Sequence, residues 1–209
     1  MKITFIGSGQ VGGALAHNLA RCGHQVTLAG DPEGSDSIRK TLARNPDLGA
    51  APTLEAVQSA EVIFLATPYG AAEAALKDIP LAGKILVDCT NPVGPGLSHG
   101  LNSVASGSER IQALVPQAKV VKAFTIYGFE NFENSAYPGY SVKPAMFFCG
   151  DDPAAKQAVA GLIADLGWEP VDVGGLVQAL HLEHMTLLWI RMARAKGGSP
   201  HQVWAALRR

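Results

Sequence analysis

The chain has 209 residues, of which 47% are hydrophobic and 17% are charged, and its formal net charge is −1. This composition is typical of one globular core, or of one domain with a small appendage. The absence of like-charge blocks argues against a nucleic-acid-binding surface and against a polybasic membrane anchor. No apolar run approaches the roughly 18 residues of a membrane-spanning helix, and the amino terminus lacks the pattern of a signal peptide.

Three cysteines, Cys22, Cys89 and Cys149, are far apart in the sequence and form no CxxC pair. An odd number of isolated cysteines is typical of thiols in a reducing compartment, with a catalytic cysteine as the less favoured alternative. We therefore expect a cytoplasmic protein whose thiols are buried or partly buried.

Short β-rich runs alternate with helical patterns along the chain. The first strand leads into a helix in which Val11, Leu15 and Leu19 recur at spacings of four. Residues 94–107 are rich in glycine, serine and proline, which favours a loop or a broken helix, and residues 127–140 are expected to be irregular. The predicted strands are 2–6, 25–29, 61–66, 84–88, 119–124, 145–149 and 169–173. The predicted helices are 11–21, 35–43, 71–76, 153–166 and 176–196, with a shorter one after residue 199.

A glycine-rich turn separates the first strand from the first helix. Gly7 allows a sharp turn, Gly9 allows the backbone to approach a pyrophosphate, and Gly12 lets the helix lie close to the strand. The first N–H groups and the dipole of the helix would then face the negative phosphates. The predicted phosphate-binding residues are Gly7, Ser8, Gly9, Gln10, Val11 and Gly12.

The alternation of strands and helices predicts an α/β fold with a parallel sheet covered on both faces. We expect a Rossmann-type doubly wound, mainly parallel sheet with a small C-terminal α/β extension that ends in a long apolar helix. The softest boundary lies between about Phe124 and Lys143. We therefore predict a dinucleotide-binding domain over residues 1–124 and a small subdomain for substrate binding or dimerisation over residues 125–209.

Polar residues follow later strands, where ligands of such sheets bind. Asp31 comes 19 residues after Gly12, where a carboxylate would accept hydrogen bonds from an adenosine ribose; alternatively it is a turn residue. Tyr69 would cover the cofactor and Asn91 would bind its ribose or carboxamide, unless both are plain loop residues. The predicted residues of this group are Asp31, Thr67, Pro68, Tyr69, Asn91 and Pro92.

The last long helix carries His181, Glu183 and His184 among apolar residues. Two histidines three residues apart can share a metal, but HExxH is absent and no third ligand is evident, so we predict packing or pocket roles and no metal site. A helix that is apolar on most sides is buried in the core or against a partner, and we predict a homodimer. Lys122 is expected to pair with a phosphate or with a core carboxylate.

Taken together, these segments resemble the deazaflavin (coenzyme F420)-dependent NADP reductases and their bacterial relatives, a wider group that includes the dinucleotide domain of mammalian metalloreductases. The resemblance covers nearly the whole chain. The combination of DCTNP, VVKAF and CGDD is its most specific part. The segments that carry it are 1–16, 23–30, 62–68, 85–96, 120–124, 147–156 and 187–193.

The resemblance implies that a hydride passes directly between the nicotinamide of NAD(H) or NADP(H) and a stacked flavin or deazaflavin. Such a transfer depends on proximity and orientation, so we name no general base and no catalytic residue. By this resemblance Gly7 to Gly12 would bind the pyrophosphate. The nicotinamide half would be lined by Thr67, Pro68, Asn91 and Pro92. The wall at which the two rings meet would be Lys122, Ala123 and Phe124.

Two departures from the family pattern leave alternatives open. Relatives carry Ser-Arg after the second strand to bind a 2′-phosphate, whereas Asp31 here would repel it and favour NAD(H), although Arg39 and Lys40 are near enough in sequence to contact a phosphate. Relatives also continue KAF with Asn-Thr, whereas Thr125 and Ile126 follow here. The second small-molecule substrate stays open, and the alternatives are a non-catalytic redox sensor and a flavin-linked metal reductase.

Overall fold

The protein, described here as a computed structural model over residues 1–194 and 197–209, is built on an eight-stranded sheet. The strands are β1 (Lys2–Ile6), β2 (Gln25–Ala29), β3 (Gly49–Ala51), β4 (Val62–Leu65), β5 (Ile85–Asp88), β6 (Val93–Gly94), β7 (Ser98–His99), β8 (Lys119–Lys122), β9 (Ala145–Gly150) and β10 (Glu169–Asp172). Their order in the sheet is β10-β9-β8-β5-β4-β1-β2-β3, and β6 and β7 form a separate antiparallel pair. All neighbours in the large sheet are parallel except β8 and β9. The predicted Rossmann-type, mainly parallel sheet is therefore confirmed.

The helices alternate with the strands along most of the chain. They are α1 (Gln10–Arg21), α2 (Asp36–Arg44), α3 (Thr53–Ser59), α4 (Ala72–Leu76), α5 (Gly107–Leu114), α6 (Phe129–Glu133), α7 (Pro153–Asp165) and α8 (Ala179–Ala193). Within the described residues, none of these helices has the length and apolar character needed to cross a membrane.

The core lies in two layers because successive side chains of a strand point to opposite faces of the sheet. In β4, Phe64 packs in one hydrophobic cluster with α1, α7 and α8, whereas Ile63 and Leu65 pack in another with α3, α4 and α5. The four residues of β4 are fully buried. This two-sided burial explains why the central strands are continuous apolar runs.

Several elements were not predicted from the sequence. They are β3, α3, α5, α6 and the β6–β7 pair. The segment 94–107, expected as a loop or broken helix, contains β7 and the second residue of β6, and it ends at the first residue of α5. Ser106 and Glu109 form a capping box at the start of α5, a signal hidden by the glycines and serines around it.

The predicted long apolar helix over 176–196 is wrong in length and in character. Leu176–Gln178 form a 3-10 turn, the α-helix α8 has 15 residues, and positions 195 and 196 lie outside the described residues. Its buried face includes Glu183 and Thr186, so it is not simply an apolar helix. The short helix expected after residue 199 is also wrong, since that segment has no helix.

The boundary predicted after residue 124 falls inside the sheet. Strand β9 pairs with β8 through Val121–Gly150 and Lys122–Cys149, and β10 pairs with β9. The antiparallel direction of β9 places its first residue on the side of the sheet where β8 ends. The division into two units remains a prediction.

Candidate functional site

The glycine turn after β1 is shaped by close backbone contacts. Gly7 has a φ of +98°, and a Cβ there would lie 2.7 Å from the Ala66 carbonyl carbon, so only glycine fits without strain. A Cβ on Gly12 would collide with the carbonyl oxygen of Gly7. A Cβ on Gly9, in contrast, would meet no atom within 4 Å. The first and third glycines therefore serve packing, and the second borders open space.

The N-terminus of α1 faces this space without a side-chain cap. Gly9 is its N-cap residue, and the first turn holds no acidic residue. Free N–H groups at the positive end of the helix dipole form an anion site. The Ser8 hydroxyl lies 3.0 Å from the Ser37 hydroxyl, and the Ser8 carbonyl accepts a hydrogen bond from Thr41, so Ser8 joins the turn to α2.

The turn borders a cleft of about 290 Å³ at the carboxyl ends of β1, β4 and β5. Seven predicted site residues line it, namely Gly9, Gln10, Val11, Thr67, Pro68, Tyr69 and Asn91. Ala66, Cys89 and Thr90 also line it and were not predicted. The Thr67 Oγ1 atom is buried and has no hydrogen-bond partner among the described residues. The cleft thus joins open space, free N–H donors and an unsatisfied hydroxyl.

Asp31 lies outside this cleft, at the exposed end of β2. Its Oδ1 accepts a hydrogen bond of 2.9 Å from the Glu33 N–H, so it does act as a turn residue. The Arg39 guanidinium donates to the Glu33 carbonyl at 3.0 Å and pairs with Asp36. Asp31, Glu33 and Asp36 are the acidic residues of the segment after β2. Arg39, the arginine near enough in sequence to contact a ribose phosphate, is already paired with Asp36.

The Asn91 side chain is held by two threonines. Its Oδ1 accepts a hydrogen bond of 2.6 Å from the Thr125 hydroxyl and lies 3.1 Å from the Thr186 hydroxyl. Its Nδ2 donates to the Thr125 carbonyl at 3.1 Å. Pro92 is buried, and its carbonyl accepts from Gly100 at 2.6 Å. The loop after β5 is thereby tied to the segment after β8 and to α8.

The predicted ring wall, Lys122 to Phe124, is buried. Lys122 and Ala123 are 0% exposed and Phe124 is 1% exposed, so none of them offers a surface to a ligand in this conformation. The backbone of Phe124 has a φ of +54°, an uncommon conformation for a bulky residue. Lys122 was expected to pair with a phosphate or with a core carboxylate, and in the structure it pairs with the buried carboxylates of Asp88 and Glu183.

Lys122 is the centre of a buried ionic network that joins three distant parts of the chain. Its ammonium donates to Asp88 Oδ2 at 3.2 Å, to Glu183 Oε1 at 2.9 Å and to the Thr90 carbonyl at 2.6 Å. These contacts use all three N–H donors, which excludes a phosphate contact. Burial lowers the pKa of Lys122, but the charges of Asp88 and Glu183 outweigh burial and raise it above the ordinary value of 10.5.

The remaining oxygen atoms of the two carboxylates also have donors. Glu183 Oε2 accepts from His99 Nε2 at 2.7 Å, and both its oxygens lie within 3.1 Å of the Gly107 N–H. Asp88 accepts from Thr90 and from Ser108. The network was missed in the sequence. The one signal of the network in the sequence is that Asp88, Lys122 and Glu183 each follow or interrupt apolar residues, in β5, β8 and α8.

The two histidines of α8 do not join Glu183 in a common site. Glu183 is 1% exposed and points into the network. His181 and His184 are exposed, and His184 Nε2 lies 3.1 Å from the Ser103 hydroxyl. Glu183 is therefore buried in the ionic network, apart from the two exposed histidines.

The cysteines show no sign of an activated thiol. Cys89 lines the cleft, but burial and the Asp88 charge raise the pKa of its thiol well above the ordinary value, which disfavours the reactive thiolate. Burial also raises the pKa of Cys149, to about 12. Cys22 is exposed, contrary to the expectation that every thiol is at least partly buried.

Comparisons with known proteins extend this description. The family described as NADP oxidoreductase, coenzyme F420-dependent, matches residues 2–92, which contain the glycine turn and β1 to β5. A crystal structure of a putative F420-dependent NADP reductase from Arthrobacter sp. FB24 is 32% identical, with a TM-score of 0.84, and the match covers 96% of each chain. The chain belongs to the coenzyme F420-dependent NADP oxidoreductase family. Its membership in this family of oxidoreductases confirms the resemblance inferred from the sequence.

Two further proteins are similar to the chain. A hypothetical protein from Sinorhizobium meliloti is 25% identical with a TM-score of 0.77, over 100% of this chain and 96% of that one. The rat metalloreductase STEAP3 is 32% identical over 189 residues, or 89% of this chain. The chain spans only 36% of the length of that curated relative.

Proposed function

We propose that the chain binds a nicotinamide dinucleotide in the cleft and transfers a hydride between it and a flavin-like or other small acceptor. The observation that carries this proposal is the open space at Gly9, which lies beside the uncapped N-terminus of α1. A pyrophosphate fits there because backbone N–H groups and the helix dipole both favour negative charge. The Thr67 hydroxyl, which is buried and has no partner in the part of the chain that the structure describes, lines the same cleft and supports the assignment.

Residues of the chain have simple roles in this proposal. The glycine turn would hold the pyrophosphate, and Asp31 would face the adenosine ribose. Thr67, Tyr69 and Asn91 would border the other half of the ligand, which supplies the hydride. Orientation and exclusion of water are the main requirements of such a transfer. The site therefore needs no residue that abstracts a proton, and the raised pKa of Tyr69, caused by burial and by the Glu183 charge, agrees with a neutral cover.

The binding proposal is tested by calorimetric titration of the wild type and of Gly9→Val with NADH and NADPH. We expect the wild type to bind at least one dinucleotide and the variant to lose affinity about tenfold or more, or about 1.4 kcal/mol. Gly161→Val on α7 is the matched control, because a Cβ there also meets no atom within 4 Å and the site is not part of the cleft. Equal affinity of wild type and Gly9→Val would exclude this turn as the binding site.

We further propose that Asp31 selects NAD(H) over NADP(H), in departure from the family description. Its carboxylate can accept hydrogen bonds from ribose hydroxyls, whereas a 2′-phosphate would meet like charge, and Arg39 is already paired with Asp36. Such repulsion weakens binding about ten- to a hundredfold. Asp31→Ala should abolish a wild-type preference for NADH. Tighter wild-type binding of NADPH, unchanged in the variant, would show that Asp31 is only a turn residue.

Turnover separates the candidate activities. Reduced dinucleotide is incubated with flavins, deazaflavins and quinones, and with ferric complexes plus flavin, the last because of the similarity to a metalloreductase. Oxidation of the dinucleotide with an organic acceptor identifies the oxidoreductase. Reduction of iron only with added flavin identifies a metal reductase. Tight binding without turnover identifies a redox sensor.

The assembly and location of the chain belong to the same proposal. Val177, Leu188 and Met192 are exposed on and just before α8, at 63%, 51% and 39%. We infer that a homodimer covers this surface in the cytoplasm. Light scattering at micromolar concentration tests the first part, and a monomer would contradict it.

A further inference from the structure

The amide of Asn91 is fixed in one orientation by its neighbours. The Thr125 carbonyl can only accept a hydrogen bond, so the atom 3.1 Å from it must be the amide nitrogen of Asn91. The Thr125 hydroxyl then donates to the amide oxygen at 2.6 Å. With the amide oxygen turned towards it, the Thr186 hydroxyl lies 3.1 Å from that oxygen. This hydroxyl, which has a single proton, also lies 3.0 Å from the Thr125 and Leu182 carbonyls.

This orientation leaves one donor of Asn91 for the cleft. An amide nitrogen carries two N–H groups, and the only acceptor of Asn91 Nδ2 among the described residues is the Thr125 carbonyl. Asn91 is partly exposed and lines the cleft. An amide that was free to rotate would present its oxygen and its nitrogen in turn, whereas this one keeps its oxygen turned towards the threonines.

The elements that hold the amide are themselves held by the ionic network. Thr186 is 5% exposed and follows Glu183 by one turn of α8. Glu183 accepts from Lys122, and Lys122 also donates to the Thr90 carbonyl, next to Asn91. The network therefore fixes the distance between α8 and the loop after β5, which is the distance that Thr186 must span.

We propose that Thr125 and Thr186 are positioning residues that turn Asn91 into a dedicated hydrogen-bond donor to the ligand. The acceptor is an oxygen atom in the half of the dinucleotide beyond the pyrophosphate, either the carboxamide carbonyl or a ribose hydroxyl. This inference rests on the proposed function of the cleft. It assigns a role to Thr125, where the sequence departs from its relatives, and to a helix that contributes no predicted binding residue.

The test measures the dissociation constant of the preferred dinucleotide for Thr125→Val and Thr186→Val, alone and combined with Asn91→Ala. Loss of one hydrogen bond that orients the amide should raise the constant about five- to tenfold. Thr186→Ser should keep the dissociation constant at the wild-type value, because serine retains the hydroxyl. In the Asn91→Ala background the threonine substitutions should have no further effect, since both act through the same side chain.

Thr4→Val is the matched control for a buried threonine. Thr4 is 1% exposed and donates to the Ala56 carbonyl at 2.9 Å, so its substitution removes the same group from β1 outside the residues that line the cleft. It should lower the thermal midpoint without changing the dissociation constant. An equal change in Thr4→Val, or additive effects in the Asn91→Ala background, would reduce the threonines to a purely structural role and overturn the inference.

ADP-ribose, or its 2′-phosphate if NADPH is preferred, distinguishes the two acceptors because it keeps the ribose and lacks the nicotinamide. If Asn91→Ala weakens this probe as much as the dinucleotide, the acceptor is the ribose. If only the dinucleotide is weakened, the acceptor is the carboxamide. A wild type that binds no dinucleotide would overturn both the inference and the proposed function, whereas normal wild-type binding with unchanged Thr186→Val affinity would overturn the inference alone.

Discussion

The two sides of the cleft are built in different ways. The side at β1 and α1 is made of backbone, from one contiguous stretch in which Gly9 borders open space and Gly12 packs tightly. The side at the end of β5 is supported from behind by buried side chains that come from residues as far apart as Asp88, Lys122 and Glu183. A site built from local backbone can be recognised in a sequence, whereas a site built from distant side chains can be recognised only once the fold is known.

The largest expected loss of stability comes from disrupting the buried ionic network of Lys122. Lys122→Met would leave Asp88 and Glu183 buried without their cation, and the free energy of unfolding should fall by about 3–5 kcal/mol. Chemical denaturation measures it. Lys119→Met on the same strand is the control, because its ion pair with Asp152 is partly exposed to solvent and should contribute about 0–1 kcal/mol. Equal losses in the two variants would contradict the role given to the network.

The pH dependence of stability checks the same ion cluster in the wild type. The folded pKa of Lys122 is raised by Asp88 and Glu183 above the ordinary 10.5. Its contribution to stability is therefore complete below about pH 10.5 and is lost as the pH rises through the higher folded pKa. The wild type should lose stability more steeply than Lys122→Met in that alkaline range.

A smaller loss of stability is expected from adding one methyl group to the glycine turn. Gly12→Ala forces its Cβ against the Gly7 carbonyl oxygen, and such overpacking costs about 1–3 kcal/mol. Gly9→Ala should stay within about 1 kcal/mol of the wild type, because no atom is near. Thermal unfolding of the two variants compares them directly, and equal midpoints would show that the turn is looser than described.

The smallest expected loss of stability comes from the start of α5, which contacts the ionic network through Gly107. Ser106→Ala removes the capping box with Glu109 and should cost about 1 kcal/mol. Ser35→Ala, at the single cap of α2, should cost less. If Ser35→Ala is the more harmful substitution, hydroxyl contacts with Ser37 matter more than capping.

The sequence predicted seven of the ten strands that the structure describes, and the glycine turn, because these depend on local patterns. Apolar runs such as β4 and the spacing of Gly7, Gly9 and Gly12 are visible over a few residues. Of the seven predicted residues that line the cleft, Gly9, Gln10 and Val11 follow from the glycine spacing. The other four follow from the rule that ligands bind at the carboxyl ends of strands. The polar face of α8 was not predicted, because its charge partners lie 61 and 84 residues away in the chain.

Lys122, Ala123 and Phe124, expected to form a wall for the two rings, are buried in this conformation, and their part in ligand binding stays a prediction. The resemblance assigned Lys122 to Phe124 to the ligand, but a residue's exposure depends on packing that short motifs do not contain. In this chain α8 approaches closely enough for Glu183 to bind Lys122.

The ionic network also has a consequence for the order in which the protein matures. During synthesis, amino-terminal segments emerge first and begin to fold first. The glycine turn needs only β1, α1 and the neighbouring β4, all within the first 65 residues. Lys122 must wait for Glu183, and Asn91 for Thr186. The glycine-turn end of the cleft can thus take shape on a growing chain, while the end at Asn91 is completed only when α8 has docked.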